Sequence, residues 1–272
     1  MAEDTFDVLV IGGGITGTGI ALDAAARGPS VAVAEKDDFA AGTSGRSSRL
    51  VFAPGAVRTT AALAVPSAEG DERYIFIVPW EDRVYAGTTD TPYAGDLDHP
   101  APDDADRDYL LAAVAGLFPG VTGRDVVASW AGLRPLLGDP GDARTGDLSR
   151  RHAIAPGPFG LYTITGGKLT TYRAMAQDLV DRVAAFLGGG FGSGRCRTRD
   201  LPLGLHGPAT AAVRQAREEV RRLGLPPRTA ARLVQRYGDE WPEAIRLIGA
   251  DPSLGEPVAV DKEGQPCAVR AA

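Results

Sequence analysis

One stretch near the start of the chain restricts its fold more than any other. Phe6 to Ile11 (FDVLVI) is an apolar run that stops at Gly12-Gly13-Gly14-Ile15-Thr16-Gly17. Such a run suits a strand buried in a parallel sheet. Ile15 to Arg27 then reads as a helix with Ile20, Ala21, Ala24 and Ala25 on its packing side, ended by Gly28. Ser30 to Ala34 (SVAVA) is a second strand, closed by Glu35. Strand, glycine turn, helix, strand and acid together form the first half of a dinucleotide-binding unit. Gly12 permits the tight turn, Gly14 lets the backbone approach a pyrophosphate, and Gly17 lets helix and strand pack closely. The helix N-terminus offers free N–H groups and partial positive charge. Glu35 stands where it can accept from the adenosine ribose hydroxyls. The pattern does not separate NAD from FAD.

The next segment bears on that choice. Thr43-Ser44-Gly45-Arg46-Ser47-Ser48 comes a few residues beyond the acid and carries hydroxyls, a glycine and a cation. Thr43, Ser44, Ser47 and Ser48 can add donors to a second side of a pyrophosphate or to a flavin. Composition excludes other functions. The net charge of −6 argues against nucleic-acid binding. The two cysteines, Cys196 and Cys267, lie far apart and give neither a metal spacing nor a disulfide framework, as expected of a reducing cytoplasm. The N-terminus carries acids and leads straight into a strand, so it does not read as a signal peptide. No apolar run is long enough to span a bilayer. The expected location is cytoplasmic, with a peripheral contact at the inner face of the cell membrane left open.

Between Phe39 and Arg73 no strand or helix is evident. Tyr74–Val78 and Arg83–Gly87 read as paired strands, and Pro102–Phe118 as an amphipathic helix capped by Asp103 or Asp104. Val126–Trp130 and Gly160–Thr165 are further strands. Lys168–Leu187 reads as a helix that begins at Gly166-Gly167. Gly188–Arg197 (GGGFGSGRCR) has linker composition. Short helices follow over Ala209–Leu223, Arg228–Tyr237 and Pro242–Ile248, and the chain from Gly255 reads as unstructured.

Several of these blocks resemble the FAD-dependent glycerol-3-phosphate dehydrogenase family: DVLVIGGGITGTGIALDAAARG, EKDDFAAGTSGRSSRL, FIVPWEDRVYAGTTDT, AGLRPLL and ITGGKLTTYRAMAQDLVD, and more weakly LVQRYGDE. The GTTDT and GGKLTTYR blocks, in this order, are more specific than the glycine turn. The resemblance implies an α/β chain with a Rossmann-like FAD/NAD(P)-binding fold, a reduced antiparallel β substrate region and a small C-terminal helical appendage. It divides the chain into residues 1–52 and 131–190 for the FAD-binding domain, 53–130 for the substrate region, 191–198 as linker, 199–254 as a partial helical domain and 255–272 as tail. It implies FAD as cofactor, glycerol 3-phosphate as substrate, oxidation to dihydroxyacetone phosphate with hydride transfer to the flavin, and quinone as a further partner.

Arg134 and Arg150 match substrate-binding arginines of the family. A guanidinium forks two donors onto phosphate oxygens. By themselves they read more simply: Arg134 as a structural arginine paired with Asp139 or a carbonyl, Arg150 as a solvated charge. Lys168, with Gly166, Gly167 and Thr170, matches the segment beside the flavin pyrimidine edge. No metal site is expected. The chain also departs from the family. Its His-Gly-Gly-Leu-Arg-Tyr element is absent after the serine-rich loop, with a seam expected near Ser48–Phe52, and its further C-terminal helices are replaced after Pro257. The resemblance is therefore to an internally deleted, tail-truncated member, and the alternative to an active oxidoreductase is an inactive remnant that retains at most dinucleotide binding.

Overall fold

The computed structural model describes residues 5–67, 73–136, 151–188, 194–260 and 266–269. The chain forms two compact units, Met1–Arg199 and Asp200–Ala272.

In the first unit, β1 (Val8–Ile11) and β2 (Val31–Ala34) pair in parallel, with Val8 opposite Val31 and Ile11 opposite Ala34. Helix α1 (Ile15–Ala26) joins them as the sequence predicts. Its small residues have a packing reason. A Cβ on Gly19 would lie 2.8 Å from the Tyr172 ring. Tyr172 opens a later helix, Tyr172–Leu187, which returns to lie along α1. Val10, Ile20 and Ala24 share one core with Ala176, Leu179 and Val180 of that helix. Each element thus buries an apolar stripe it cannot bury alone. At the other end of α1, Arg27 pairs at 2.5 Å with the fully buried Asp23 and with Asp181 of the returning helix.

A five-stranded antiparallel sheet forms the rest of this unit. Its strands are β3 (Arg49–Phe52), β4 (Leu63–Pro66), β5 (Tyr74–Trp80), β6 (Arg83–Gly87) and β7 (Val126–Trp130), in the order β4-β5-β6-β3-β7. The expectation of no regular structure between Phe39 and Arg73 is thus corrected by two strands. The residues of the expected seam form β3 between β6 and β7, so Arg49–Phe52 belong to the antiparallel sheet and not to the nucleotide-binding portion. Leu50, Phe52, Ile75, Ile77, Val84 and Ala86 alternate onto one face, where helix α2 (Asp104–Leu117) covers them with Leu110, Ala113 and Val114. The Asp103 carboxylate caps α2 by accepting from Asp106 N–H at 2.8 Å, and Asp104 and Asp106 complement the dipole.

Strands β8 (His152–Pro156) and β9 (Tyr162–Gly166) form a hairpin whose Ile154, Tyr162 and Ile164 pack onto the α1 core. β8 is not evident in the sequence. Helix α3 spans Tyr172–Leu187, four residues shorter at its start than the expected Lys168–Leu187.

In the second unit, α4 (Ala209–Arg222), α5 (Arg228–Tyr237) and α6 (Trp241–Ala250) close around Ala216, Val220, Leu233, Val234, Trp241 and Ile245. β10 (Pro257–Val260) and β11 (Pro266–Val269) pair antiparallel where the sequence reads as unstructured.

Candidate functional site

The glycine turn is held from several sides. Gly12 N–H donates to the Ala34 carbonyl at 2.8 Å, which ties the turn to the end of β2. Gly13 N–H donates to Glu35 Oε2 at 2.5 Å, while Glu35 Oε1 accepts from the N–H groups of Lys36 at 2.8 Å and Asp37 at 3.1 Å. The Gly13 bond, then that of Asp37, holds the Glu35 carboxyl below its ordinary range. Glu35 therefore clamps the turn, and an ionised carboxylate engaged this way still has lone-pair capacity for a further donor.

Gly14 is the N-cap of α1 and has no side chain with which to cap it. Ser44, 29 residues beyond Ile15, does so. Its Oγ accepts from Ile15 N–H at 2.8 Å. This brings the serine-rich loop onto the helix N-terminus. Gly17 faces the turn itself, and a Cβ there would lie 1.9 Å from the Gly12 carbonyl oxygen. Gly12, Gly14, Gly17, Glu35 and Ser44 thus form one cluster.

The same loop reaches a second segment. The Thr43 hydroxyl donates to the Leu133 carbonyl. Gly132 lies so close to the Arg46 backbone that a Cβ would meet its carbonyl oxygen at 2.5 Å. Ser47 and Ser48 are half-buried on the way into β3, and the Ser48 carbonyl lies against Gly87. Beyond Gly87, Thr88 Oγ1 accepts from an Arg134 Nη at 3.0 Å, and Asp90 Oδ1 lies 3.9 Å from Arg134 Nε. Arg134 is therefore oriented by Thr88 and Asp90, with its side chain 38% exposed. Arg150 and Asp139 lie outside the described residues.

Gly166 and Gly167 both have positive φ, +80° and +77°. A Cβ on Gly167 would sit 2.3 Å from Met175 Sδ. Lys168 is extended and exposed, ahead of a 3₁₀ turn over Leu169–Thr171. Its N–H donates to Thr171 Oγ1 at 3.0 Å. Lys168 and Thr170 thus precede α3 rather than occupy its first turn. Their segment reaches α1 through the Tyr172–Gly19 contact. Among the described residues no hydrogen bond or ion pair joins Lys168 to the glycine turn. His152, the histidine best placed by sequence for proton transfer, is paired with Asp178 of α3 at 2.9 Å.

Sequence reasoning missed two features of the candidate site: the long-range cap by Ser44, and the seat of Arg134 on Thr88 and Asp90. The signal for the second lay in the GTTDT block, whose Thr and Asp follow a strand end. Among the described residues no cluster of His, Cys, Asp and Glu could hold a metal.

A βαβ glycine turn, a hydroxyl loop on its helix and an antiparallel sheet inserted before the returning helix are the architecture of a flavin-type dinucleotide-binding protein. The sequence model of the family described as FAD dependent oxidoreductase (DAO) matches residues 7–64 and 52–182, and the chain belongs to that family. The two matches meet over residues 52–64, next to the expected seam. The chain is 38% identical over 188 residues to the aerobic glycerol-3-phosphate dehydrogenase of Staphylococcus aureus strain USA300, and equally to that of strain MRSA252. These alignments cover 66% of this chain and 34% of each relative, so the chain spans about a third of the length of the curated relatives it matches. Its fold is similar to that of the glycerol-3-phosphate dehydrogenase from Bacillus halodurans, solved in complex with FAD. The TM-score is 0.75 and the identity 24%, over 90% of this chain and 78% of that one.

Proposed function

We propose that this chain binds FAD at the glycine turn and is an oxidoreductase of the glycerol-3-phosphate dehydrogenase type. The observation that carries the reading is the acceptor oxygen of Ser44 at 2.8 Å from the first N–H of α1. The helix terminus already holds an oxygen where a pyrophosphate would place one, on a side chain that can rotate aside. The surroundings fit the group. Gly12 has nothing within 4 Å of its Cβ position, and Gly14 meets only the Ser44 hydroxyl.

When bound, FAD would supply the two-electron acceptor for the C2 hydride of sn-glycerol 3-phosphate on the way to dihydroxyacetone phosphate, with a quinone as the proposed onward partner. The chain's own residues bind and orient. The N-terminus of α1 and Ser44 would hold the pyrophosphate, and Glu35, pinned by three main-chain donors, would accept from the ribose. Thr43, Ser47 and Ser48 would add donors from the loop, and Gly166, Gly167, Lys168 and Thr170 would supply the segment at the flavin edge. Arg134 presents its guanidinium to the substrate phosphate, with Thr88 and Asp90 fixing the direction of the fork. Arg150 is assigned to the same phosphate by family resemblance alone.

A second reading, dinucleotide binding without turnover, is favoured by the sequence: Arg49-Leu50-Val51 follows the serine-rich loop with no His-Gly-Gly-Leu-Arg-Tyr element after it. A site that lacks part of its walls holds its substrate loosely, and positioning supplies much of the barrier reduction. The test is a titration of the purified chain with FAD, followed by flavin fluorescence, then dye reduction with glycerol 3-phosphate. Binding with turnover that disappears in Arg134→Ala supports the first reading. Binding without turnover supports the second. No FAD binding overturns both. No helix among the described residues is long and apolar enough to cross a membrane.

A further inference from the structure

The hairpin of β8 and β9 leads straight into the segment assigned above to the flavin edge. Among the described residues its two strands pair only with each other, and a two-stranded hairpin is marginal on its own. Its closed end is held by Gly157 N–H, which donates to the Leu161 carbonyl at 2.7 Å. Its middle rests on the α1–α3 core through Ile154 and Ile164. At its open end His152 stands opposite Gly166. Strand alternation puts these two residues on the same face as Ile154 and Ile164, towards the helices. Gly166 brings no side chain to that face, so the open end is left to His152. The half-buried ring fastens it: Nε2 lies 2.9 Å from Oδ2 of Asp178, in the second turn of α3. A carboxylate only accepts, so the ring is the donor.

The chain between this strand end and α3 has few other restraints. Gly166 and Gly167 both have positive φ, a region that glycine enters at little cost and leaves as readily. Gly167 is seated against Met175, and Lys168 N–H donates to Thr171 Oγ1 at 3.0 Å. Both contacts are internal to the segment and the first turn of α3. Lys168 itself is exposed. Where its ammonium stands therefore depends on how the end of β9 is placed against α3, and the bond between His152 and Asp178 spans those two elements.

We infer that His152 is a positioning residue: through Asp178 it fixes the Gly166–Thr171 segment, and with it the place of the Lys168 ammonium beside the flavin. The inference rests on the flavin reading given above. A cation at the pyrimidine edge favours the reduced, anionic ring over the oxidised, neutral one, and that preference falls with distance and with exposure to water. A loosened segment therefore weakens the preference for reduced flavin more than it weakens binding of the oxidised form. The other charged groups of the same groove do not share the task. Asp181 is held by Arg27, and Arg182 is exposed.

The test has two parts. In the full chain without FAD, amide hydrogen exchange over Gly167–Thr171 reads the segment directly. His152→Ala should speed exchange there about 3- to 10-fold while Val8–Ile11 keeps its protection. His152→Gln, which retains an N–H donor for Asp178, should recover most of the loss. With FAD bound, the midpoint potential measured by dye equilibration should fall in His152→Ala by about 14–30 mV, the equivalent of a 3- to 10-fold loss of preference for reduced flavin in a two-electron couple. A merely structural role would lower Tm and leave the potential in place. Arg182→Ala, in the same groove, should change neither exchange nor potential. Far-UV circular dichroism shows whether His152→Ala is folded, and if it is not, Asp178→Asn takes its place. Unchanged exchange in a folded variant overturns the inference, and so does faster exchange with an unchanged potential. A wild-type chain that binds no FAD overturns the flavin reading and this inference together, whereas a chain that binds FAD beside an unaltered segment overturns this inference alone.

Discussion

Gly14 and Gly17 lie one helical turn apart, and replacing each by alanine should separate nucleotide binding from stability. At Gly17 the new Cβ would be 1.9 Å from the Gly12 carbonyl oxygen. A tolerable carbon–oxygen contact is about 3.3 Å, so the helix and the turn must part by about 1.4 Å. Overpacking of this kind costs about 1–3 kcal/mol, and the gain from replacing glycine within a helix offsets up to about 1 kcal/mol of it. A 1.4 Å displacement belongs to the upper part of that range, about 2–3 kcal/mol, so about 1–2 kcal/mol remains; each kcal/mol moves Tm by about 2–4 °C in a unit of this size, and Gly17→Ala should melt about 2–8 °C lower. The displacement also takes turn donors out of hydrogen-bond range, and FAD binding should fall about 10- to 100-fold. At Gly14 the Cβ would meet only the Ser44 hydroxyl, at 3.2 Å. Backbone there is extended, φ −69° and ψ 173°, which alanine adopts freely. Gly14→Ala should keep Tm within about 2 °C of the wild type, yet lose about 10-fold in FAD affinity, because its methyl stands in the path of the pyrophosphate. Differential scanning fluorimetry and FAD fluorescence titration on the same preparations measure both. Unchanged affinity in Gly14→Ala would refute the placement of the nucleotide at this turn, and unchanged Tm in Gly17→Ala would refute the close packing of helix against turn.

Two further predictions follow from the packing and the electrostatics. Phe52→Ala, at a fully buried site in β3, should cost about 3–5 kcal/mol in urea unfolding of the first unit; a cost below about 1 kcal/mol would mean that β3 is not a central strand. Glu35 has its pKa lowered in the fold by main-chain donors, so its contribution is present above the unfolded value near 4.5 and is lost as pH falls through the lower folded value. Glu35→Gln should therefore melt below the wild type at pH 6, with the gap closing in more acidic buffer; a gap independent of pH would show that the carboxylate charge plays no part.

The portion of the molecule legible in the sequence is the portion whose contacts are local. The β1–α1–β2 unit declares itself because its glycines, apolar periodicity and closing acid follow one another within a single motif. β3 and β4 do not. RLVF and LAVP are four residues each, and β3 takes its partners from β6 and β7 much further along the chain. Short apolar pieces carry no period of their own, so pairing alone decides them. The start of α3 was displaced for a similar reason. Two positive-φ glycines and the Thr171 hydroxyl set a 3₁₀ turn before the helix, and neither is visible as a change in periodicity. In the candidate site, Glu35 was legible by position. Its three main-chain donors come from the geometry of the turn, and Ser44 as a cap comes from a fold-back no spacing rule anticipates.

The shared core of α1 and α3 has a consequence for the order in which the chain can acquire structure during synthesis. The glycine turn is translated first, but the helix behind it rests on Ala176, Leu179 and Val180, and a helix of α1's length is marginal in water without such support. The antiparallel sheet needs nothing later than Trp130 to pair its strands. On the ribosome, translated at about 5–20 residues per second, the inserted sheet can therefore settle while the nucleotide-binding turn is still unformed. The oldest motif in the chain, counted from the N-terminus, is the last of the first unit to become rigid, and its ligand can be held only after the returning helix has left the exit tunnel.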